Sequence, residues 1–390
     1  MLRWQTAGES HGQCLTAIVS GLPLGVAVDL AFINRELRRR QAGYGRGGRM
    51  KIERDEVQIL SGVRHGKTIG APITLQIENK DWTHWEDALP VEDVPGAADK
   101  QRRLTQPRPG HADLAGALKF NLKDARYVVE RASARETAAR VAAGALTKLF
   151  LRQFGIEVLS HTVAIGSARL SRRAGWEEIV KACEETEAEI RCVDASLGGA
   201  MKKLIDQALA DRDSLGGVFE VVAHNVPPGL GSHAHWDEKL DGRLAQALMS
   251  IPAVKAVEVG AGIASAAAFG SEVHDEIGYD AAARRFTRPT NRAGGLEGGI
   301  ANGEDVVVRG YLKPISTLRR PLGSVDFETK QPVKAAYERS DVCVVPAAGV
   351  IGEAMVALVL AAAVREKFGG DTLEEALRSF RAYTEQLRSY

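Results

Sequence analysis

The chain has 390 residues, of which 45% are hydrophobic and 26% are charged, with a formal net charge of +1. This composition is typical of a globular protein with a substantial core. The near-neutral charge argues against a general nucleic-acid-binding protein, which normally has a strong basic excess. The four cysteines show no Cys-x-x-Cys spacing. They are therefore expected to be reduced thiols, and a cytoplasmic location is expected because the first residues lack an apolar signal core.

The first candidate for a functional residue is His11, in the loop formed by residues 8–12, GESHG. Two glycines around a Glu-Ser-His core indicate a tight loop whose backbone approaches another group closely. The apolar segment that follows, residues 14–19, is typical of a strand. From spacing alone, a turn in which His11 only caps a neighbour is slightly favoured. His11 gains interest as a second histidine beside His111.

An amphipathic helix is predicted over residues 29–42, with Asp29 as its N-cap. The glycine-rich segment that follows, residues 43–48, matches G-x-G-x-x-G but lacks the preceding strand and following helix of a dinucleotide-binding motif. It is interpreted as a flexible lid. Arginines crowd this helix and lid, and they are Arg35, Arg38, Arg39, Arg40, Arg46 and Arg49.

Residues 79–106 are polar and rich in proline, and they are predicted to form a long surface excursion. Loops of that length are often functional. The segment after it, residues 108–140, organises the predicted site. Arg108 precedes a proline and is therefore expected to be extended, at the start of a turn that carries His111.

Ser133 and Glu136 fit the S-x-x-E capping box at the start of an alanine-rich helix predicted from Thr137. A helix start with Arg131 and Arg135 beside it suits a phosphate or another anion, because its backbone amides point outwards. This part of the sequence therefore predicts an anion-binding site.

Two segments in the C-terminal half also carry groups suited to a ligand. The glycine-dense loop 291–300 permits close backbone approach to a flat molecule, and residues 313–317 place a lysine and two hydroxyls on a proline-stiffened turn. His233, His235 and Asp237 could form part of a metal site. Asp237 is also a good helix N-cap, and without an evident fourth ligand no metal is expected.

The longest apolar run, residues 342–364, contains Glu353 together with proline and glycine. A membrane span would have to bury that carboxylate, so a strand, a turn and a buried helix are predicted instead. In sum, two histidines in glycine-bounded loops and at least six arginines favour an enzyme that acts on a small phosphorylated or polycarboxylate substrate.

The chain resembles chorismate synthases in a set of motifs that occur in family order along almost its whole length. These motifs are residues 8–12, 43–53, 108–113, 131–135, 294–299 and 339–341. The resemblance implies an α/β (α+β) fold in one domain, residues 1–390, with sheets and helices in a sandwich and with long functional loops. It implies a homotetramer and a carbon–oxygen lyase that converts 5-enolpyruvylshikimate 3-phosphate to chorismate and phosphate. The cofactor implied is reduced FMN, with NADPH as a possible reductant.

The resemblance also implies roles for individual residues. His11 would protonate the departing phosphate, His111 would donate to the reduced flavin, and Asp341 would relay a proton through the flavin as the ring hydrogen leaves. Substrate or NADP would be bound by Arg40, Arg46, Arg49 and Arg108. FMN would lie against Ser133, Ala134, Arg135, Pro252, Ala253, Gly298, Lys313, Pro314, Ile315, Ser316, Thr317 and Arg339.

Two other functions remain open at this stage. An RNA-binding protein could use the arginines of residues 35–49, and its affinity would then fall steeply with salt. A flavin-dependent oxidoreductase would keep the cofactor and would consume its reductant in proportion to turnover. The sequence leaves open whether this protein reduces its own FMN.

Overall fold

Two antiparallel sheets lie on either side of a layer of helices, in a computed structural model that describes residues 1–47, 54–94, 102–185, 188–338 and 341–390. The strand order is β1-β2-β6-β3 in the first sheet and β10-β15-β9-β7-β8 in the second, and four two-stranded hairpins lie outside them. Within the described residues the strands are β1 Arg3–Ala7, β2 Cys14–Ser20, β3 Val57–Ile59, β4 Val63–Arg64, β5 Lys67–Thr68, β6 Ile73–Glu78, β7 Glu157–Ile165, β8 Ala168–Arg169, β9 Gly217–His224, β10 Val254–Val259, β11 Gly278–Asp280, β12 Arg285–Thr287, β13 Leu296–Glu297, β14 Ile300–Ala301, β15 Val306–Leu312, β16 Gly323–Val325 and β17 Pro332–Lys334.

The helices supply the middle layer and the segments that carry the candidate site. Within the same part of the chain they are α1 Leu30–Gln41, α2 Asp113–Phe120, α3 Arg126–Ala132, α4 Thr137–Arg152, α5 Trp176–Ala182, α6 Ala195–Ala210, α7 Leu240–Met249, α8 Gly270–Val273, α9 Val345–Phe368 and α10 Leu373–Ser389. As predicted, Asp29 caps α1 through a hydrogen bond from the Phe32 amide to Oδ1, at 3.1 Å.

Helices α4 and α9 lie side by side between the sheets, α4 against β2 and β6 and α9 against β7 and β9. The alternation of β2 explains the first contact, since Leu15, Ala17 and Val19 are buried on one face of the strand. The helices approach so closely that a Cβ on Gly144 would lie 2.3 Å from the Ala354 Cβ. The predicted sandwich of sheets and helices is therefore confirmed.

One apolar cluster joins residues of both sheets and of the helices between them, among them Leu15, Ile33, Leu146, Phe219 and Val356. Burial of such side chains is the main source of stability in a layered fold. That residues 1–390 form a single domain stays a prediction.

The prediction of a strand at the start of the apolar run was wrong, because helix α9 already begins at Val345 with Pro346 in its first turn. A proline is tolerated there, since the first amides of a helix have no partner within it. Cys343 forms only an isolated bridge with Leu215. By length and composition α9 could cross a membrane, but 94% of its most apolar window is buried inside the protein.

Candidate active site

Helices α2 and α3 form one unit that carries an acidic partner for each of the two predicted catalytic histidines. The helices pack through Ala117 and Val129, and Phe327 covers them from the C-terminal half of the chain. Asp113 lies at the start of α2 and Glu130 near the end of α3, and both are buried. Asp113 contacts His111, and Glu130 contacts His11.

Glu130 and Trp85 hold His11 in place. Its Nδ1 lies 2.9 Å from Glu130 Oε1 and 3.1 Å from Oε2, and its backbone amide donates to Oε2 at 2.8 Å. The ring stacks on Trp85, with 4.1 Å between the centroids and 25° between the planes. Burial acts to raise the pKa of Glu130, but the hydrogen bonds from His11 and the charge of Arg126 outweigh it and lower that pKa.

His111 lies on the predicted turn, which closes through a hydrogen bond from its amide to the Arg108 carbonyl at 3.2 Å. Its Nδ1 contacts Asp113, and the Arg108 Nη2 lies 3.1 Å from the same nitrogen. Arg108 also donates to Asp113 through its amide at 2.9 Å and its Nε at 2.8 Å. These contacts with His111 and Arg108 hold the pKa of Asp113 well below its usual value, although its burial acts in the opposite direction.

The predicted capping box at Ser133 is not formed. Ser133 caps a short 3₁₀ turn, Ala134–Glu136, through the Arg135 amide at 3.3 Å, and α4 begins after it at Thr137. Glu136 pairs with Arg140 at 2.7 Å instead of reaching back to the Ser133 amide, which donates to the Val129 carbonyl as the end of α3. The Ser133 hydroxyl accepts a hydrogen bond from the Ser10 hydroxyl at 3.0 Å, which places the 3₁₀ turn beside the His11 loop.

Two predicted site arginines meet at one buried carboxylate. Arg135 Nη1 lies 2.5 Å from Asp55 Oδ1, and Arg40 Nη1 lies 3.5 Å from Oδ2. Arg40 also donates to Thr137 Oγ1 at 2.9 Å and to the Ala134 carbonyl at 2.9 Å. The two guanidinium groups are thus fixed beside the 3₁₀ turn, with one more positive than negative charge among the three side chains.

The turn of His111 also contacts the predicted flavin-binding segment 313–317. Arg108 Nη1 donates to Thr317 Oγ1 at 3.0 Å, and the Lys313 ammonium donates to the Gly110 carbonyl. The Lys313 amide donates to the Ala253 carbonyl at 3.0 Å, so the turn that includes Pro252 lies next to it. Ala253 has a φ of +71°, a left-handed conformation that an alanine rarely adopts.

Asp341 and Arg46, both predicted to belong to the site, form an ion pair with each other. Arg46 Nη1 lies 2.9 Å from Asp341 Oδ2, and the Gly47 amide donates to Oδ1 at 2.5 Å. The predicted lid reaches Arg49, which lies outside the described residues, as does Arg339. Gly298 lies in the turn between β13 and β14, where nothing is within 4 Å of the position of an added Cβ.

Contacts between side chains bring several of the predicted residues together. The α2–α3 unit links the His11 loop to the His111 turn, and Arg126 on α3 reaches Glu338 at 2.9 Å. Two cavities of about 410 Å³ and 210 Å³ are lined by other residues, such as Val273 and His161. No described contact joins Gly298 to the rest of the site. In the described ranges, no group of three or more metal-ligating side chains could hold a metal ion.

Sequence reasoning missed several residues that hold the site. Trp85 was assigned to a surface excursion, yet its side chain is buried against His11. Asp55 and Asn79 bind Arg135, and Glu130 binds His11. Only Asp113 had a usable signal, because it lies two residues after His111 in the same motif. The other partners are distant in the chain from the groups that they hold.

The donor set fits both a phosphorylated substrate and the phosphate tail of a nucleotide cofactor. Lys313, Ser316 and Thr317 offer an ammonium group and two hydroxyls next to the Arg108 guanidinium, a combination that suits a phosphate. Arg40 and Arg135 provide a second cationic group at the 3₁₀ turn. Fold and site together define an enzyme for small anionic ligands.

Comparison with known proteins identifies the family. The family model described as chorismate synthase matches residues 2–364. The chain is 61% identical over 390 residues to a chorismate synthase of Solibacter usitatus (strain Ellin6076), covering 100% of both chains, and 57% identical over 389 residues to that of Symbiobacterium thermophilum, covering 99% of both. A solved structure described as a crystal structure of chorismate synthase matches with a TM-score of 0.80 and 43% identity, over 100% of this chain and 99% of that one.

The chain therefore belongs to the chorismate synthase family. Its fold is that of the family, in agreement with the prediction. Membership makes the chain a carbon–oxygen lyase of the shikimate pathway.

Proposed function

We propose that this lyase eliminates phosphate from 5-enolpyruvylshikimate 3-phosphate to give chorismate, in a site that also binds reduced FMN. The observation that carries this proposal is the pair of imidazole–carboxylate contacts, His11 with Glu130 and His111 with Asp113, on one helical unit. Imidazoles held in this way are suited to move protons near neutral pH, and the arginines around them suit a substrate with phosphate and carboxylates.

His11 acts as the acid for the departing phosphate. As the carbon–oxygen bond breaks, its electron pair leaves with the phosphate oxygen, and the proton on the imidazolium moves to that oxygen. The ring ends neutral and the phosphate leaves with one negative charge fewer. A positioned acid of this kind contributes about 10²- to 10⁴-fold to a rate.

Asp341 is the candidate acceptor of the proton that the substrate ring releases. Its carboxylate is held by Arg46 and by the Gly47 amide, so its orientation is fixed. Arg40 and Arg49 are the candidates for the substrate anions, and Arg135, which the family resemblance assigns to FMN, is placed with them because it shares Asp55 with Arg40. Fixed cations aimed at a developing charge often contribute more to catalysis than any other effect, because no reorganisation is needed when the charge develops.

The flavin would be held by Lys313, Ser316 and Thr317 with Arg108, with Arg339, and with the backbone of the turns at Ala134 and Ala253. When bound, reduced FMN supplies electron density to the reacting ring without a net change of oxidation state. His111 would hold a proton for the negatively charged ring of the reduced cofactor. The Asp113 carboxylate supports this role, because its contact with Nδ1 fixes the orientation of the ring.

We propose a homotetramer in the cytoplasm for the assembled enzyme, with NADPH as a possible reductant that binds near Arg40 and Arg46. RNA binding by residues 35–49 is less well supported. Arg39 is buried in ion pairs with Glu36 and Glu353, which leaves fewer arginines for a polyanion.

An anaerobic assay with purified protein tests the proposal. With reduced FMN, the protein should release phosphate and chorismate in equal amounts from the enolpyruvyl substrate, and many turnovers should consume no stoichiometric reductant. Without flavin, or with oxidised FMN alone, both products should be absent. Turnover without flavin would contradict the proposed chemistry. Reductant consumption in proportion to product would favour a flavin-dependent oxidoreductase.

A further inference from the structure

We infer that Glu130 is a positioning residue for His11, which fixes the orientation of the imidazole and assigns proton transfer to its Nε2. The inference rests on the proposed function, in which His11 protonates the departing phosphate. Neither the family motifs nor the local sequence pattern assigns a role to Glu130.

The Glu130 carboxylate holds His11 at two points. Both of its oxygens lie within 3.1 Å of His11 Nδ1, and Oε2 also accepts the His11 backbone amide at 2.8 Å. The Ser10 amide donates to the Glu130 carbonyl at 2.8 Å. The loop and the last turn of α3 are therefore joined through both side chain and backbone, and the Nδ1 edge of the ring is committed to the carboxylate.

Trp85 restrains the His11 imidazole from one face of the ring. Its indole is stacked on the imidazole at 4.1 Å, and the Arg102 guanidinium carbon lies 4.1 Å from the same indole. A ring with one edge on a carboxylate and one face on an indole has little freedom to rotate. Because Nδ1 faces Glu130, proton transfer to a ligand takes place at Nε2.

Several charged groups surround His11. Arg126 approaches Glu130 at 3.5 Å and Glu338 at 2.9 Å, so a cation lies behind the carboxylate. The charged groups that face the loop from the elements packed on it are Glu130, Arg126 and Arg131 of α3, Arg102 beyond Trp85, Glu338, Arg135 through Asn79, and Glu9 in the loop itself. Glu130 contacts the imidazole directly, at Nδ1.

The proton balance sets the expected pH dependence. The acid must be protonated, so turnover falls as pH rises. A carboxylate beside an imidazole favours the imidazolium. Removal of the negative charge in Glu130→Gln should therefore move the alkaline limb of the kcat profile to lower pH. The maximal kcat should fall on the order of 100-fold, and KM should change little because Glu130 is not proposed to touch substrate.

The chain offers a closely matched control. Glu220 is a buried carboxylate that lies 2.9 Å from His161 Nε2, on the second sheet and outside the candidate site. Glu220→Gln removes the same charge from the same kind of pair. It should lower the melting temperature but leave the pH profile of kcat unchanged. Glu130→Asp keeps the charge, and it should return the alkaline limb towards that of the wild type even if kcat stays reduced.

The experiment is the pH dependence of phosphate release under anaerobic conditions with reduced FMN, for the wild type and the three variants, with thermal unfolding in parallel. If Glu130→Gln keeps the wild-type profile, or if it raises KM and leaves kcat intact, Glu130 does not position the acid. In a His11→Asn background, Glu130→Gln should reduce kcat by less than about twofold, since coupled residues are not additive. A full additional loss there would also overturn the inference. An inactive wild type would instead count against the proposed function.

Discussion

Arg39 and Glu353 form a two-point ion pair in the middle of the helical layer, with Nη1–Oε2 and Nη2–Oε1 distances of 2.7 Å each. Glu353 is fully buried, and Lys148 donates to it at 2.5 Å and Ser160 at 2.6 Å. The carboxylate that argued against a membrane span is thus the centre of a buried polar network. It joins α1, α4 and α9 to the second sheet.

Glu353→Ala should cost about 3–5 kcal/mol of unfolding free energy, because the buried cations Arg39 and Lys148 then have only the charge of Glu36 to share between them and one positive charge is left uncompensated. Glu366→Ala is the matched control on the same helix, where an exposed carboxylate pairs with Arg243 at 2.7 Å. The loss there should be about 0–1 kcal/mol. Urea unfolding of the two variants checks this, and equal losses would contradict the stabilising role of the network.

The same network should make the protein sensitive to acid. Burial acts to raise the pKa of Glu353, but Arg39 and Lys148 outweigh it and lower that pKa from 4.5. A carboxyl group with a lowered folded-state pKa contributes stability above its unfolded pKa and loses it as pH falls through the folded value. The wild type should therefore lose more stability between pH 6 and pH 3 than Glu353→Gln does. Urea titrations at these two pH values measure the difference, and parallel losses would disprove the linkage.

Trp85→Ala should lower turnover by about 10- to 100-fold, because a catalytic group displaced by a fraction of an ångström loses most of its advantage. It should also lower stability by about 3–5 kcal/mol, as for other buried tryptophans. Trp236, 85% exposed, provides the control, and its replacement by alanine should leave both unchanged. Full activity in Trp85→Ala at a temperature where the variant is folded would show that the stacking on His11 has no role in turnover.

Asp113→Asn should weaken FMN binding and lower stability by about 3–5 kcal/mol, because Arg108 then loses the charged partner of a buried pair. Asp237→Asn, in an exposed turn, should stay within about 0.5 kcal/mol of the wild type. Titration of each variant with FMN, followed by flavin fluorescence, gives the affinities. An unchanged FMN affinity in Asp113→Asn would show that the His111 turn does not contribute to the cofactor site.

His111→Ala should lose most of its turnover yet still bind the substrate and FMN, because the cationic groups around both ligands remain. The two affinities and kcat are measured on the same preparation. A variant that turns over at the wild-type rate would remove His111 from the mechanism. A variant that no longer binds FMN would give it a structural role at the cofactor site.

Local signals in the sequence predicted local structure well. Asp29 caps α1 as predicted, and the alanine-rich run predicted as a helix from Thr137 is α4. Predictions failed where tertiary contacts decide. Ser133 was expected to cap α4, but its hydroxyl contacts Ser10, and Asp237 was expected to cap α7, which begins three residues later at Leu240.

In the candidate site, too, local motifs predicted some residues and tertiary contacts determine the others. Family motifs supplied the histidines and arginines, while their buried carboxylate and aromatic partners come mostly from other parts of the chain. Trp85 lies in a polar, proline-rich segment, and nothing local indicates that its indole packs on His11. In the sequence alone, Glu130 is an ordinary glutamate of a helix. Its contact with His11 becomes evident only when α3 is packed against the His11 loop. Such pairings are set by the packing of distant elements, which composition and spacing do not encode.

A crystal structure of the protein with oxidised FMN and the enolpyruvyl substrate tests the central claim most directly. We predict that the imidazoles of His11 and His111 both contact the bound ligands in one shared site, with the FMN phosphate at residues 313–317. FMN bound in the cavity of about 410 Å³ lined by Val273 and Arg292 would contradict this claim. So would a complex in which the two histidines face separate surfaces.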